Sequence, residues 1–284
     1  MKRVDITTKP WDQYQLIDSG DGRKLERFGA LLLDRPDPQA LWHKSTPTAW
    51  LDAQAQFLWA DKGERWKVSA GISDVWHISR EDITLELSLK GFKHIGIFPE
   101  HAHQWDEFSA LGKSHKGLRM LNLFGYTGAA SIAGAKAGMQ VTHVDASKAT
   151  IETVKTNAEL SGLSSDALRI VCEDALRYAK RLVARGEQFE VIVMDPPAFG
   201  RGPKNEVWKI EESLAELISL LPELVSPDAK LVVLNGYASG YAARTFGELL
   251  GDALGGDNVS YGEVAIEGDT RLLTTGIYAT WRRV

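Results

Sequence analysis

The chain contains one cysteine, Cys172. An internal disulfide is therefore impossible, and no argument for an oxidising compartment arises. No stretch approaches the roughly 18 consecutive apolar residues that a membrane-spanning helix needs. The amino terminus, Met1-Lys2-Arg3-Val4-Asp5, becomes charged at once and lacks the apolar core of a secretory signal. The expectation is a cytoplasmic protein with no membrane partner. Basic excess is missing as well: the net charge is −5. Residues 1–95 carry 14 Lys+Arg against 14 Asp+Glu, and the remainder carries 19 against 24. A global footprint for nucleic acid is excluded, so any such contact must come from local patches. His94, His101 and His103 lie close in sequence, but H-x-H without a cysteine or acidic partner at defined spacing is a poor ligand set, and no metal is expected. Internal repeats and low-complexity tails are missing too, and nothing in the sequence sets an oligomeric state.

What is present divides near residue 95. Six of the nine tryptophans (Trp11, Trp42, Trp50, Trp59, Trp66 and Trp76) fall before it. Alternating runs such as Trp66-Lys67-Val68-Ser69 and Ile83–Leu89 have strand periodicity. The turn signals Asp18–Gly22, Arg35–Pro38 and Asp61-Lys62-Gly63 punctuate them. Residues 1–95 read as a β-rich region whose tryptophans fill a core, with base stacking by an exposed tryptophan as the other reading. Residues 96–284 read as a second domain. Strands are expected near 119–124, 140–144, 168–172, 189–194 and 230–235, with helices near 128–138, 147–161, 174–185, 207–225 and 239–253. Two last runs, 258–265 and 272–282, suggest an antiparallel edge hairpin. Alternating βα units with short links predict a parallel, doubly wound sheet.

Two motifs carry the chemistry. The first runs from Arg119 to Asp145: an apolar strand, the turn Gly125-Tyr126-Thr127-Gly128, an alanine-rich helix, and a second strand ending on a carboxylate. A helix amino terminus behind a glycine turn favours a carboxylate ligand, and Asp145 is placed to accept hydrogen bonds from a ribose diol. The dinucleotide fingerprint needs three glycines, and here only Gly125 and Gly128 occupy the turn. A pyrophosphate is poorly provided for, whereas an amino-acid tail plus adenosine fits. The ligand expected is S-adenosylmethionine (SAM), with NAD(P) or a purely structural turn as alternatives. The second motif is Val191-Ile192-Val193-Met194-Asp195-Pro196-Pro197-Ala198-Phe199. Ligands of open α/β sheets sit beyond the carboxyl ends of the strands, which puts Asp195 beside the first turn. The prolines stiffen the turn and aim the Asp195 and Pro196 carbonyls at an N–H of a planar base, with Phe199 available to stack on it. A strand terminator with a buried Phe is the plainer reading. The loop from Gly200 to Lys209, bearing Arg201, Lys204 and Lys209, suits either a flap offering phosphate contacts or an ordinary solvated loop. Asp174, in Glu173-Asp174, can meet an adenine amino group or cap a helix.

Taken together, Asn122–Gly128, Val144-Asp145-Ala146-Ser147, Glu173-Asp174 and Asp195–Phe199 resemble the class I SAM-dependent methyltransferases. More narrowly, they resemble the bacterial group that modifies large-subunit ribosomal RNA at cytosine C5 or guanine N7. Gly96–Glu100 followed by Trp105 is similar to the segment by which that group's chain approaches the cofactor. The resemblance covers roughly residues 85–240. It implies a Rossmann-like, mostly parallel seven-stranded α/β sheet behind a β-rich extension. It implies a donor held by Phe124, Gly125, Tyr126, Thr127, Gly128, Asp145, Ala146, Ser147, Asp174, Ala175 and Asp195. The acceptor, expected to be RNA and specifically a base of large-subunit ribosomal or other RNA, would meet Asp195, Pro196 and Phe199 at the reacting atoms. Pro197, Arg201, Lys204 and Lys209 would bind it around them. Residues 1–95 do not look like the pseudouridine-synthase-associated RNA-binding domain that begins several of those enzymes.

Cytosine-C5 methylation requires a nucleophile at C6, usually a thiolate. Neither Asp-Pro-Pro-Ala-Phe nor Leu234–Ser239 supplies one, and Cys172 reads as a buried filler inside the third strand. Direct transfer to a nitrogen needs only alignment and a proton acceptor, for which Asp195 is the candidate. A small-molecule or protein methyltransferase is the alternative suggested by the acidic charge. A non-catalytic SAM- or RNA-binding module is the alternative from another class.

Overall fold

Two units make up the chain: Met1–Ile6, His103–Val264 and Gly276–Val284 form one, and Thr7–Ala102 with Ala265–Thr275 form the other. The structure, a computed structural model, describes residues 1–60, 63–89, 93–204, 206–237 and 240–283. The expected turn residues Asp61 and Lys62, Asn205 of the basic loop and Ala238-Ser239 after the fifth strand lie outside the described residues.

Two short strands, β1 (Lys2–Arg3) and β2 (Ile6–Thr8), open the chain. A five-stranded sheet follows, β3 (Tyr14–Gly20), β4 (Arg23–Phe28), β5 (Leu31–Pro36), β6 (Ala55–Ala60) and β7 (Gly63–Val68), antiparallel except where β5 pairs with β6 in parallel. A separate hairpin pairs β8 (Val75–Arg80) with β9 (Ile83–Ser88). The turn expected at Asp18–Gly22 joins β3 to β4, with Asp21 in the left-handed region at φ 53°. The core here is Tyr14, Leu16, Leu25, Phe28, Leu33 and Phe57 rather than the tryptophans. Of the six, Trp50 alone is buried, and Trp59 is 58% exposed. The indole N–H explains part of this, since Trp42 and Trp76 hold their rings where Nε1 can donate to the Ser19 and Phe28 carbonyls, at 2.8 and 3.2 Å.

Beyond α1 (Ala102–Ser114) the expected alternation appears: β10 (Arg119–Leu123), α2 (Ala129–Lys136), β11 (Gln140–Asp145), α3 (Lys148–Leu160), β12 (Leu168–Cys172), α4 (Ala175–Ala184) and β13 (Val191–Met194). Ser147 caps α3, accepting from the Thr150 N–H, and Asp174 caps α4, accepting from the Arg177 N–H at 2.9 Å. The expected helix 207–225 is corrected. Val207–Lys209 is strand β15, pairing antiparallel with β14 (Phe199–Arg201). Helix α5 then covers Ile210–Ser219, and α6 covers Leu221–Leu224. The apolar period that suggests one long helix starts at Ile210, while Val207 and Lys209 alternate with the buried Trp208 in strand fashion. Strand β16 (Leu231–Gly236), helix α7 (Ala243–Leu254), and strands β17 (Val259–Glu267) and β18 (Leu272–Arg282) complete the chain.

The main sheet runs β1-β17-β18-β16-β13-β10-β11-β12, and β2 also pairs with β17. Among its seven longer strands β18 runs antiparallel to β16, and β17, its hairpin partner beyond it, points the same way as β16 again. The hairpin is not the outer edge, because β1 pairs with β17 in parallel from the far side. This pairing is main-chain work that a charged Lys2-Arg3 does not advertise: the Val4 N–H donates to the Tyr261 carbonyl at 2.8 Å. All of Val191–Met194 and all of Leu231–Gly236 are buried, as central strands covered on both faces require. Among the described residues, no helix is long and apolar enough to cross a membrane.

Candidate functional site

Strand register places the motifs side by side. Leu123 pairs with Val144 on one flank and Met194 on the other, Asp145 pairs with Cys172, and Met194 pairs with Leu234. The residues at or just beyond these carboxyl ends are therefore neighbours in the order Cys172, Asp145, Phe124, Asp195, Asn235. Both sequence motifs open on this one edge.

Phe124 and Tyr126 take left-handed backbone conformations, φ 59° and 50°, which are costly for side-chain-bearing residues. Asp145 holds the turn in that shape. Its Oδ2 accepts from the Tyr126 N–H at 2.9 Å, and its Oδ1 accepts from the Ser147 N–H at 2.9 Å and the Thr150 hydroxyl at 2.7 Å. Burial pushes the Asp145 carboxyl above its ordinary value, and these three donors pull against it. A carboxylate has about four lone-pair positions, so roughly one remains for an outside hydroxyl. Thr150, absent from the sequence reading, stands one helical turn beyond Asp145, where a hydroxyl reaches back.

The glycines work differently from the simplest expectation. A Cβ on Gly125 would stand 2.4 Å from His143 Cε1, and one on Gly128 would stand 3.0 Å from Val154 Cγ1. Both openings let neighbouring elements close up, the role of helix–strand packing in nucleotide-binding turns. Gly128 also starts α2 at φ 92°. Beneath the turn, the Asn122 amide donates to Ser131 Oγ at 2.9 Å, and Ser131 Oγ meets His143 Nδ1 at 2.9 Å. Burial lowers the fully buried His143 to about 4, which keeps it neutral at pH 7. This buried polar set escaped sequence reading, because Asn122 and His143 sit inside apparently apolar strands.

Asp174 spends one oxygen on its cap, and Ala175 is buried behind it. Glu173 faces Arg177 and Arg181, at 3.5 and 2.6 Å. Cys172 is exposed, which corrects the buried-filler reading: on β12, the last strand of the sheet, its Sγ lies 3.8 Å from the Ala146 carbonyl.

On the other flank the Asp195 N–H reaches the Leu123 carbonyl at 3.4 Å, and Pro196 is buried. The β14/β15 ribbon rises directly from this turn. Trp208 anchors it: the ring is 3% exposed, packs 4.7 Å from Phe124, and donates Nε1–H to the Pro197 carbonyl at 2.7 Å. Glu206, at the ribbon's turn, accepts from the Lys204 N–H at 2.8 Å and pairs with Arg177 at 2.9 Å. Alternation then puts Phe199, Arg201, Val207 and Lys209 on the opposite face. Phe199 is 54% and Val207 50% exposed, Arg201 lies over the Phe199 ring at 5.9 Å, and Lys209 pairs with Glu212 at 2.7 Å. Phe199 is thus not a buried terminator. Among the described residues, no cluster of His, Cys, Asp or Glu could hold a metal ion.

Fold and site together define a doubly wound α/β protein whose candidate nucleoside site opens on the carboxyl edge of the sheet. A family model described as conserved hypothetical protein 95 matches residues 104–232. The crystal structure of a SAM-dependent methyltransferase from Agrobacterium tumefaciens is 34% identical with a TM-score of 0.93, covering 99% of this chain and 97% of that one. Ribosomal RNA large subunit methyltransferase K/L of Shewanella sp. (strain W3-18-1) is 35% identical over 152 residues, 53% of this chain and 21% of that protein. Ribosomal RNA large subunit methyltransferase K of Neisseria meningitidis serogroup B is 30% identical over 155 residues, 54% of this chain and 43% of that protein. The match thus spans less than half the length of either curated relative. The chain belongs to the SAM-dependent methyltransferases, and it is an enzyme whose methyl donor is SAM.

The residues present fit that donor, since a fixed carboxylate with about one acceptor position left can take one hydroxyl of a ribose. Gly125→Ala is expected to weaken SAM binding at least about tenfold and to destabilise the fold by about 1–3 kcal/mol, the usual penalty of overpacking. Titration calorimetry and a melting curve check both, and an unchanged affinity would show that His143 yields to the methyl without moving the turn.

Proposed function

We propose that the enzyme methylates a base of RNA, with large-subunit ribosomal RNA as the first candidate, by direct transfer to a nitrogen. The observation that carries the reading is the outer face of the ribbon: an exposed aromatic, Phe199, beside Arg201 and Lys209, rising straight from Asp195. Unstacked bases are held by aromatic faces and backbones by cations, so this combination suits a single-stranded stretch of RNA. The names borne by the Shewanella and Neisseria relatives point the same way. All groups assigned here fall within residues 96–284, the stretch to which we assign the transferase activity.

When bound, SAM supplies an electrophilic methyl group on its sulfonium. The Phe124–Gly128 turn faces its amino-acid end, Asp145 with Ala146 and Ser147 takes the ribose, and Asp174 with Ala175 takes the adenine. On the acceptor side the Pro196-Pro197 turn fixes the Asp195 and Pro196 oxygens, which accept the N–H groups of a planar base. Phe199 stacks on its face, while Arg201, Lys204 and Lys209 meet phosphates. Asp195 orients the nitrogen and accepts its proton, and positioning supplies most of the rate. A covalent thiol route lacks its nucleophile. Cys172 stands three strands from β13, about 14 Å at the usual strand spacing, on the donor flank.

The test is incubation with methyl-labelled SAM and separate pools of ribosomal RNA, protein and small metabolites. Label that enters the RNA pool and is lost to ribonuclease is the expected result. Label confined to another pool would replace RNA with that acceptor.

A further inference from the structure

A second cationic feature lies away from the ribbon. Arg119 opens β10, Arg169 lies within β12, and Arg185 ends α4, yet all three converge on one carboxylate. Arg119 Nη2 and Arg169 Nη1 lie 3.3 and 3.5 Å from Glu187 Oε2, and Arg185 Nη1 lies 3.9 Å from Oε1. Elsewhere in this unit most ion pairs match one cation to one carboxylate, as in Lys155–Glu152, Arg244–Glu248 and Arg282–Glu107. Here three guanidinium groups share one half-buried acid; with the Glu190 carboxylate, which accepts from the Arg119 N–H at 2.7 Å, counted as well, one positive charge is left in excess. The three arginine side chains are 40%, 51% and 52% exposed. A helix carboxyl terminus explains Arg185, but it does not explain two arginines contributed by strands. Arg181, which pairs with Glu173, lies over the buried Tyr178 ring at 4.9 Å.

We propose that this arginine cluster is a second binding surface, taking the phosphate backbone of the RNA whose base occupies the site; it rests on the reading given above. Guanidinium forks match phosphate oxygens, and an acidic protein needs such a local patch to hold a polyanion. Arg119 stands five residues before Phe124 along β10, about 16 Å at the usual rise. A ligand touching both surfaces must therefore be a polymer, and a free nucleotide would not bridge them.

The experiment is the salt dependence of binding of a fluorescent single-stranded RNA to the whole protein, wild type against the double variant Arg169→Ala/Arg185→Ala. Arg119 is left in place because its guanidinium packs over Phe189 at 4.8 Å. Loss of two phosphate contacts reduces the slope of log K against log salt by about 1.4, with SAM affinity and melting temperature unchanged. Wild-type binding with the same slope in the variant overturns the second surface alone. No RNA binding by the wild type overturns both the surface and the RNA reading of the site.

Discussion

Asp195→Ala is expected to keep most of the affinity for SAM and to lower turnover by about 10²–10⁴-fold, the range for loss of a positioned acid–base group. The expectation follows from where the residue sits. Cofactor-side order rests on Asp145, Ser147 and Thr150, whose mutual hydrogen bonds do not involve Asp195. Its neighbours on the acceptor side are rigid: Pro196 is buried, and the Pro197 carbonyl is held by the Trp208 indole. Removing the carboxylate deletes an acceptor while the Trp208 bond to the Pro197 carbonyl remains. Asp195→Asn divides the two duties, since an amide can still accept a hydrogen bond but takes up no proton. Partial activity in Asn over Ala means that orientation carries part of the effect. Turnover equal to wild type in both variants, measured under saturating SAM, removes Asp195 from the mechanism.

The second large effect lies in the β-rich unit. Glu26→Gln is expected to cost about 3–5 kcal/mol, the penalty for leaving a buried ion unpaired. Glu26 is fully buried, and its Oε2 accepts from Arg35 Nε and Nη2 at 2.9 and 2.6 Å. Its Oε1 accepts from the Tyr14 hydroxyl at 2.9 Å, and Lys24, itself buried, pairs with Asp37 at 3.3 Å. Burial alone would raise the Glu26 carboxyl, but Arg35 and Lys24 outweigh it and hold it below its ordinary 4.5. An acid depressed in the folded state binds its proton more weakly there than in the unfolded chain. Its contribution is then fully present above pH 4.5 and is lost as pH falls through the lower folded value. Chemical denaturation of wild type and Glu26→Gln should show a gap at pH 7 that narrows in acid. A gap below about 1 kcal/mol at pH 7 would mean that water or repacking compensates Arg35.

Much of the transferase fold was legible because its signals are local. Apolar runs such as Val191–Met194 end at turn residues, and Ser147 and Asp174 stand where helix caps must. Legibility ended where the determinant was a partner distant in sequence. Lys2-Arg3 joins the sheet through main-chain bonds to residues near 260, which no periodicity records. The β14/β15 ribbon imitated the start of a helix because Val207-Trp208 runs into the apolar period of α5. Cys172 read as core because it ends an apolar run, yet β12 is the outermost strand and its last residue opens to solvent. The same limit applies to the site. Asp145 and Asp195 stand at strand ends and are visible in sequence. Trp208 and His143 act by reaching across the fold to Phe124 and Ser131, which sequence spacing does not place beside them.

Transfer to a base nitrogen of RNA is tested by digesting RNA methylated in vitro to nucleosides and identifying the labelled product by mass spectrometry. A nucleoside methylated on a base nitrogen, absent with Asp195→Ala, is the expected result. Label at cytosine C5, or none in any nucleoside, would rule out nitrogen transfer.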